Sequence, residues 1–141
     1  MTQPVHATVV AHWRPGRGWR GAALFGPPGS GKSDLALRLI GAGWRLAADD
    51  YAHLFAAEGR LYARAPRTIA GKIEVRGVGI VPASALDLAR VVLAVELGPR
   101  PVERLPEPAF RTVEGVDLPL LRLDPREASA GEKVAAVIAR L

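Results

Sequence analysis

The feature that most constrains this chain is one glycine-rich run, Gly26-Pro27-Pro28-Gly29-Ser30-Gly31-Lys32-Ser33. It satisfies the pattern glycine, four residues, glycine, lysine, then serine or threonine, which a chain of 141 residues matches by chance about once in two hundred. Glycines let the N–H groups of such a loop turn inward around phosphate oxygens, and the N-terminus of a following helix adds positive potential. The run therefore predicts a nucleotide-binding loop, with Lys32 at the β- and γ-phosphates and the Ser33 hydroxyl on Mg²⁺.

The segments around this run have the periodicity that the motif requires. Apolar Ala22–Phe25 predicts a short strand that leads into the loop, and the apolar spacing of Ser33–Ile40 predicts a helix after it. Trp44–Ala48 then predicts the next strand. The order strand, loop, helix, strand is a βαβ unit. We therefore expect an α/β fold, a single P-loop domain over residues 1–141 with a mixed β-sheet flanked by helices.

Two carboxylates, Asp49 and Asp50, end the second of these strands. A carboxylate at this place can hold Mg²⁺ or one of its waters, or it can accept a proton from an attacking hydroxyl. Because neighbouring residues of a strand point in opposite directions, we expect only one of the two to face the phosphates.

The rest of the chain predicts further strands and one more helix. We expect a hairpin around Glu58-Gly59, and we expect Ser129 and Glu132 to form a capping box before the last helix. The expected elements are strands at Val5–Val10, His53–Ala57, Arg60–Ala63, Val91–Leu97 and Leu118–Leu123, a turn at Trp13–Gly21, loops at Arg64–Val81 and Gly98–Pro108, and a helix at Val134–Leu141.

Composition narrows the chemistry that the loop can serve. The chain has no cysteine and no asparagine, which excludes thiol catalysis and the Asn-Lys-x-Asp motif that reads guanine. Its one glutamine, Gln3, lies far before the loop and offers no water-orienting group. No apolar run reaches the roughly 20 residues of a membrane-spanning helix, so we expect a cytoplasmic protein without membrane contact. The net charge is +5, and a surface this basic attracts nucleic acid, phosphate or an acidic protein.

Three further segments match the pattern of one family. They are Arg45-Leu-Ala-Ala-Asp-Asp50 shortly after the loop, Glu74-Val-Arg76-Gly77-Val-Gly79-Ile80 beyond it, and His6 in Val-His-Ala-Thr one strand before it. In order and spacing they resemble the R-L-V-A-D-D, E-I-R-G-L-G-I and I-H-G-T segments of the HPr kinase/phosphorylases. The resemblance covers about the first 80 residues. The loop alone is shared by many families, but the loop joined to the second segment is specific to this one.

The resemblance implies an ATP- and Mg²⁺-dependent kinase that phosphorylates a serine of HPr, a small phosphocarrier protein, and so regulates phosphotransferase signalling. It makes Asp50 the base toward the serine hydroxyl, and the acid in the reverse phosphorolysis, with His6 beside it to orient it. The other implied roles are charge neutralisation by Lys32 and Arg104, Mg²⁺ binding by Ser33, Asp49 and Glu74, and engagement of the acceptor or the phosphates by Arg76, Gly77 and Gly79.

Two departures from the family pattern bear on this interpretation. The matching histidine is already residue 6, so we expect a short form that has the catalytic domain alone. The family also has a Pro-Val-Arg-Pro-Gly-Arg-Asn run tied to dephosphorylation, where this chain has Leu-Asp124-Pro125-Arg126-Glu. The kinase direction is therefore better supported than the phosphorylase direction. The resemblance also allows a homo-oligomer.

Three other functions stay open from the residues. A nucleotide-dependent switch would not need Asp50 or Glu74, and a sugar or nucleoside kinase would phosphorylate a metabolite with no protein present. A nucleic-acid-binding protein would show steeply salt-dependent binding that ignores ATP. Trp13 and Trp19, interleaved with arginines, imitate such a site, but a hairpin tip explains them better.

Overall fold

The computed structural model describes residues 3–99, 101 and 103–141. Within these residues the chain forms two α-helices, α1 at Lys32–Gly41 and α2 at Ala130–Ile138, and a turn of 3₁₀-helix at Arg67–Ile69. No α-helix in this part of the chain is long and apolar enough to cross a membrane. The described residues also form ten strands: β1 Val5–Arg14, β2 Gly18–Phe25, β3 Arg45–Ala48, β4 Tyr51–Ala57, β5 Arg60–Arg64, β6 Lys72–Val75, β7 Gly79–Pro82, β8 Ala89–Leu97, β9 Phe110–Val113 and β10 Val116–Leu123.

Five of these strands close on themselves to form a ring. β1 pairs with β2 and β4, β4 pairs with β5, and β5 pairs with β8, all antiparallel. β8 then pairs in parallel with β2, which completes the ring. β3 adds to β1, while β10 pairs in parallel with β8 and antiparallel with β9. The architecture is a mixed α/β fold, which confirms the expected class.

The ring and the helices enclose two apolar clusters. Larger side chains on the outer face of the ring, such as the fully buried Leu24 and Leu93, pack with Leu35 of α1 and Val134 of α2. Both helices therefore cover the same face. The cluster inside the ring is built mainly of alanines, because a ring of five strands leaves little room for larger side chains. These alanines are Ala7, Ala11, Ala23, Ala47, Ala48, Ala52, Ala63, Ala89 and Ala94.

Strand direction brings three segments of the chain to one edge. β2, β3 and β8 run in the same direction, since β1 is antiparallel to β2 and β3, and β8 is parallel to β2. Their last residues, Phe25, Ala48 and Leu97, therefore lie at one edge, which we call the loop edge, and α1 begins there. In the expected strand–helix–strand unit, β2 and β3 do run in the same direction, but they are not neighbours in the sheet because β1 lies between them.

Two stretches contain more strand than the sequence predicts. Trp13–Gly21 is not a turn throughout, because β1 and β2 continue through it as a hairpin in which Trp13 pairs with Trp19. The expected loop Arg64–Val81 contains the antiparallel strands β6 and β7. Short strands that are interrupted by glycine have too weak a period-2 pattern to be recognised. The loop over 98–108 has no helix or strand among its described residues, and residues 100 and 102 lie outside them.

The capping box expected before the last helix is not formed. Ser129 is the N-cap residue of α2, but its side chain makes no capping hydrogen bond. Its φ and ψ of −91° and 12° differ from the extended backbone that lets an N-cap side chain reach back to the first turn. A strand that the sequence does not predict, β9, pairs with the first half of β10.

Candidate active site

The glycine-rich loop at residues 26–31 joins the end of β2 to the start of α1. Gly29 and Gly31 have φ of 79° and 99°, in the left-handed region that side chains disfavour, so the path of the loop requires glycine at both. The N-terminus of α1 has no side-chain cap, which leaves its first N–H groups available. Ser30 Oγ is also buried and has no hydrogen-bond partner among the described residues. The loop therefore offers donors to an anion that binds in it.

Lys32 is the first residue of α1 and is only 5% exposed. Its ammonium group donates to the carbonyl oxygens of Gly26 at 2.7 Å and Pro27 at 3.1 Å. Burial lowers the pKa of Lys32, and the nearby carboxylates of Asp50 and Asp49 partly restore it. The loop thus holds a buried cation on its own carbonyls, from which the cation can move to a phosphate.

Asp49 is buried, and donors surround its carboxylate. Oδ1 accepts hydrogen bonds from the hydroxyls of Ser33 at 2.6 Å and Thr8 at 3.2 Å, and Oδ2 accepts one from the backbone N–H of Glu74 at 3.0 Å. Four segments, β1, α1, β3 and β6, are joined through this one side chain. Asp49 therefore fixes the start of α1 against the end of β3.

Asp50 has different surroundings, although it is the next residue. Its φ of 68° lies in the left-handed region, which aspartate tolerates better than most residues, and its N–H donates to the Thr8 hydroxyl at 3.0 Å. The Asp50 side chain is 52% exposed, and its Oδ1 lies 2.5 Å from His6 Nε2. The His6 ring in turn contacts Tyr51, with 5.2 Å between ring centroids. The expected alternation of strand side chains does not apply to Asp49 and Asp50, because β3 ends at Ala48. Both carboxylates raise the pKa of Lys32.

The hairpin of β6 and β7 carries the segment that the sequence assigns to the acceptor. Glu74 contacts the site through its backbone N–H, while its side chain is exposed. Arg76 is exposed at the start of the turn, and Gly77 and Gly79 have φ of 83° and 124°. Val78 is 73% exposed at the tip. The structure therefore connects this segment to the carboxylates through the Glu74–Asp49 hydrogen bond.

A cavity of about 420 Å³ opens beside the glycine-rich loop, and residues 97–99 and 124–126 form its other walls. Pro125 lies against the loop, since a Cβ on Gly31 would be 3.1 Å from Pro125 Cγ, and its carbonyl accepts a hydrogen bond from Arg38 at 2.5 Å. Asp124 makes an ion pair with Arg126, whose side-chain hydrogen bond lowers the pKa of Asp124 to about 2. The volume falls within the range of small-molecule sites.

Arg104 is the one predicted site residue that the structure does not bring to the others. It is exposed in the segment between β8 and β9, and no hydrogen bond or ion pair among the described residues connects it to the loop or the carboxylates. An arginine that does lie at the loop edge is Arg111. Its guanidinium lies 3.7 Å from the centre of the Phe25 ring, and it pairs with Glu96 at 3.3 Å.

Sequence reasoning missed Thr8, whose hydroxyl donates to the Asp49 carboxylate and accepts a hydrogen bond from the backbone N–H of Asp50. A signal for it was available, because alternate residues of a strand share a face and Thr8 is two residues after His6. It also missed the contact of Pro125 with the loop. That contact joins segments nearly a hundred residues apart and has no local pattern.

The oxygen groups of the site fit Mg²⁺ bound together with a nucleotide. Clusters of three or more His, Cys, Asp or Glu side chains suited to a metal do not occur among the described residues. Mg²⁺ does not need such a cluster, because it is commonly bound by one or two protein oxygens with substrate phosphates and water. Ser33 Oγ and Asp49 Oδ1, 2.6 Å apart at the start of α1, are oxygens of this kind.

These features define a mixed α/β fold in which one edge gathers a glycine-rich loop, a buried lysine and two carboxylates. The solved structure of the Hpr(Ser) kinase/phosphatase from Coxiella burnetii has this fold, with a TM-score of 0.81 over 99% of this chain and 95% of that chain. The two sequences are 21% identical, so this likeness concerns the fold.

The chain belongs to the HPr Serine kinase C-terminal domain family, whose model matches residues 19–92. It is 40% identical over 78 residues to an HPr kinase/phosphorylase of Clostridium beijerinckii, and 46% identical over 79 residues to that of Clostridium kluyveri. Each alignment covers 55% of this chain and 26% of the relative, so the chain spans about a quarter of the length of these curated relatives. The family resemblance drawn from the sequence is confirmed. The family match includes the loop, both carboxylates and the β6–β7 hairpin, whereas His6 and Arg104 lie outside it.

Proposed function

We propose that this chain is an ATP- and Mg²⁺-dependent kinase that phosphorylates a serine of an HPr-type phosphocarrier protein. The observation that carries the proposal is the position of Asp50, an exposed carboxylate held by His6 and close to the buried Lys32. A carboxylate in this position can be reached by a hydroxyl on the surface of another protein. The phosphoryl group would lie next to Lys32, within reach of a serine hydroxyl that is bound at Asp50.

The glycine-rich loop would bind the phosphates of ATP through its N–H groups and the N-terminus of α1. Lys32 would leave the carbonyls of Gly26 and Pro27 and contact the phosphates instead. Because a buried ammonium is poorly solvated, its attraction to a phosphate is stronger here than in water. The P-loop assignment and the role of Lys32 rest on these contacts.

In the transfer step, Asp50 accepts the proton of the acceptor serine hydroxyl. The serine oxygen forms a bond to the γ-phosphorus while the bond from that phosphorus to the bridging oxygen breaks, and ADP leaves. His6 keeps the Asp50 carboxylate in place through the 2.5 Å contact. In the reverse phosphorolysis Asp50 would return the proton, and in this chain the kinase direction is the one proposed.

Ser33 and Asp49 would hold Mg²⁺, and the exposed Glu74 side chain is the third oxygen ligand that the resemblance assigns. When bound, Mg²⁺ neutralises charge on the phosphate oxygens. Asp49 Oδ1 accepts a hydrogen bond from the Ser33 hydroxyl at 2.6 Å, so the two oxygens are already held together.

The tip of the β6–β7 hairpin would contact the phosphocarrier protein. Val78 and Ile80 are each 73% exposed there, an unusual placement for apolar side chains unless a partner covers them. Arg76, Gly77 and Gly79 belong to the same tip. We infer that the kinase acts in the cytoplasm, where ATP is available, and that it couples phosphotransferase signalling to the energy state of the cell.

The test is transfer of label from γ-labelled ATP, with Mg²⁺, to each HPr-type protein of the source organism. Wild type is compared with Lys32→Ala and with Lys133→Ala, a matched lysine on α2 that pairs with Glu127. We expect phosphoserine on a carrier with wild type and Lys133→Ala, and none with Lys32→Ala.

Two outcomes would contradict the proposal. If ATP binds but no carrier is labelled, the chain is a nucleotide switch and not a kinase of HPr. If label passes to a sugar or nucleoside without any protein acceptor, the chain is a metabolite kinase.

A further inference from the structure

The end of the strand ring opposite the loop edge gathers three arginines on its outer face. Gly21 of β2 is paired with Val91 of β8, so Arg20 and Arg90, which precede them, lie side by side. Arg90 is also directly opposite Tyr62 of β5, and Arg60 is two residues before Tyr62 and therefore on the same face.

The backbones of β2 and β8 approach unusually closely at this place. A Cβ on Gly21 would lie 2.8 Å from the carbonyl oxygen of Arg90, a distance that no side chain tolerates. Glycine is thus required for the approach that brings the arginines together. Burial lowers the pKa of Arg90, and the positive charges of Arg60 and Arg20 lower it further. The guanidinium groups are therefore close enough to repel one another.

None of these three arginines forms an ion pair with a carboxylate in the part of the chain that the structure describes. Among the described residues the Arg20 side chain donates only to the carbonyl of Arg17, at 3.5 Å. Glu58 is in the turn just before Arg60 and does not pair with it. Four other arginines do pair with carboxylates, namely Arg38, Arg111, Arg122 and Arg126.

A row of side chains extends from this cluster across neighbouring strands. Phe55 is opposite Tyr62, with the rings stacked at 5.8 Å, and His12 is opposite Arg20. The row crosses all five strands of the ring and therefore curves around it, and its middle part from Tyr62 to Arg20 spans three neighbouring strands, about 10 Å at about 4.8 Å per strand. It consists of Phe55, Tyr62, Arg90, Arg20 and His12, with Arg60 beside it, and we call it the arginine row.

We propose that the arginine row is a docking surface for an extended acidic segment of a partner protein. A guanidinium group binds a carboxylate through two parallel hydrogen bonds. Phe55 and Tyr62, at one end of the row, can contact apolar side chains that lie between the acidic residues of the segment. The middle part of the row, from Tyr62 to Arg20, matches about three residues of extended chain at about 3.3 Å each. A nucleic acid fits less well, because Phe55 and Tyr62 stack on each other and leave less ring face for bases.

This surface is separate from the proposed kinase site. Arg20 is five residues before Phe25 on β2, which places it about 16 Å along the strand from the start of the glycine-rich loop. The arginine row would bind an acidic segment whether or not the chain is a kinase, and the acidic partner need not be the phosphate acceptor.

The test is fluorescence anisotropy at low ionic strength with a labelled decapeptide of alternating glutamate and tyrosine. The reference probes are the same peptide with glutamine in place of glutamate, and a single-stranded oligothymidine of similar length. The protein is compared with Arg60→Glu, with the double variant Arg20→Glu and Arg90→Glu, and with Arg67→Glu. Arg67 is exposed on the 3₁₀ turn and carries the same change of charge elsewhere.

We expect the acidic peptide to bind wild type and to bind Arg60→Glu and the double variant at least about tenfold more weakly, with Arg67→Glu within about twofold. Arg60 is exposed, so its variant decides the question if the double variant does not fold. An equal loss in Arg67→Glu, equal binding of the glutamine peptide, or no binding to wild type would overturn the inference. Tighter binding of the oligothymidine through the same arginines would overturn it in favour of nucleic acid.

Discussion

The two ends of the strand ring hold their charges in opposite ways. At the loop edge the buried charges have hydrogen-bond partners, since Lys32 donates to two carbonyls and Asp49 accepts from two hydroxyls and an N–H group. At the far end Arg20, Arg60 and Arg90 lie on three neighbouring strands and form no ion pair with a carboxylate among the described residues.

The difference concerns the role of the charged groups, because the fold does not need either set of charges to close the ring. The ring is held by backbone pairing around an alanine core, so the charges at neither end are required to close it. The loop edge is completed by its own hydrogen bonds, which position groups for chemistry. At the far end no carboxylate among the described residues pairs with the three arginines, so an anion from outside would relieve their repulsion.

The largest effect is expected where the loop-edge network is opened. Asp49→Ala leaves the Ser33 hydroxyl, the Thr8 hydroxyl and the Glu74 N–H without their common acceptor, and should lower the free energy of unfolding by about 2–4 kcal/mol. Asp50→Ala removes an exposed pair and should cost less than about 1 kcal/mol. Denaturant titration measures both. Similar losses in the two variants would show that Asp49 does not hold the edge together.

A smaller effect is expected from the backbone of the loop. Gly31→Ala forces a side chain into left-handed backbone at φ 99° and against Pro125, whereas Gly16→Ala, in the β1–β2 turn at the far end, meets only the strain of φ 78°. The left-handed backbone should lower the free energy of unfolding of each variant by about 1–2 kcal/mol. Gly31→Ala should lose more stability than Gly16→Ala because its new Cβ also meets Pro125. Thermal unfolding of the two variants tests this. Equal losses would mean that Pro125 does not pack on the loop.

The far end should become more stable when charge is removed. Arg60→Gln relieves repulsion with Arg90 and should raise the free energy of unfolding by up to about 0.5 kcal/mol at low ionic strength. High salt should abolish the gain, and Arg67→Gln, away from the cluster, should show none. A loss of stability in Arg60→Gln would indicate that the arginine row already has an internal partner.

The smallest effect is expected at Asp124. Its pKa of about 2 lies below the usual value of about 3.9, so the pair with Arg126 stabilises the fold above about pH 4 and loses this contribution as the pH falls through 2. Arg126→Ala should therefore raise the pKa of Asp124, as measured by NMR titration. The stability difference from wild type should shrink between pH 4 and pH 2. A difference that stays constant over this range would contradict the assignment.

Local patterns predicted much of the loop edge. The glycine-rich run predicted a turn between a strand and a helix. In the structure β2 ends at Phe25, as predicted, and α1 at Lys32–Gly41 is one residue longer at each end than the predicted helix Ser33–Ile40. The hairpin around Glu58-Gly59 is confirmed as β4 and β5, because both residues have the positive φ that such a turn requires. The family resemblance placed His6 beside Asp50, and the structure brings them together across 44 residues of chain.

Features that depend on closure of the ring were not predictable in this way. The pairing of β8 with β2 joins segments about 70 residues apart, and no local pattern encodes it. The contrast between Asp49 and Asp50 also comes from three dimensions, because Thr8 and Glu74 reach one carboxylate from other strands. The arginine row follows from strand register, and in the sequence its members are only scattered basic residues.

The role of Asp50 is tested by single-turnover phosphate transfer with Asp50→Asn, with ATP affinity measured on the same protein. Because Asp50 is proposed as the base and contacts neither the loop nor Ser33, we expect transfer to the carrier serine to fall at least about a hundredfold, with ATP affinity unchanged within about twofold. A variant that binds ATP and transfers phosphate at the wild-type rate would contradict the assignment of Asp50 as the catalytic base.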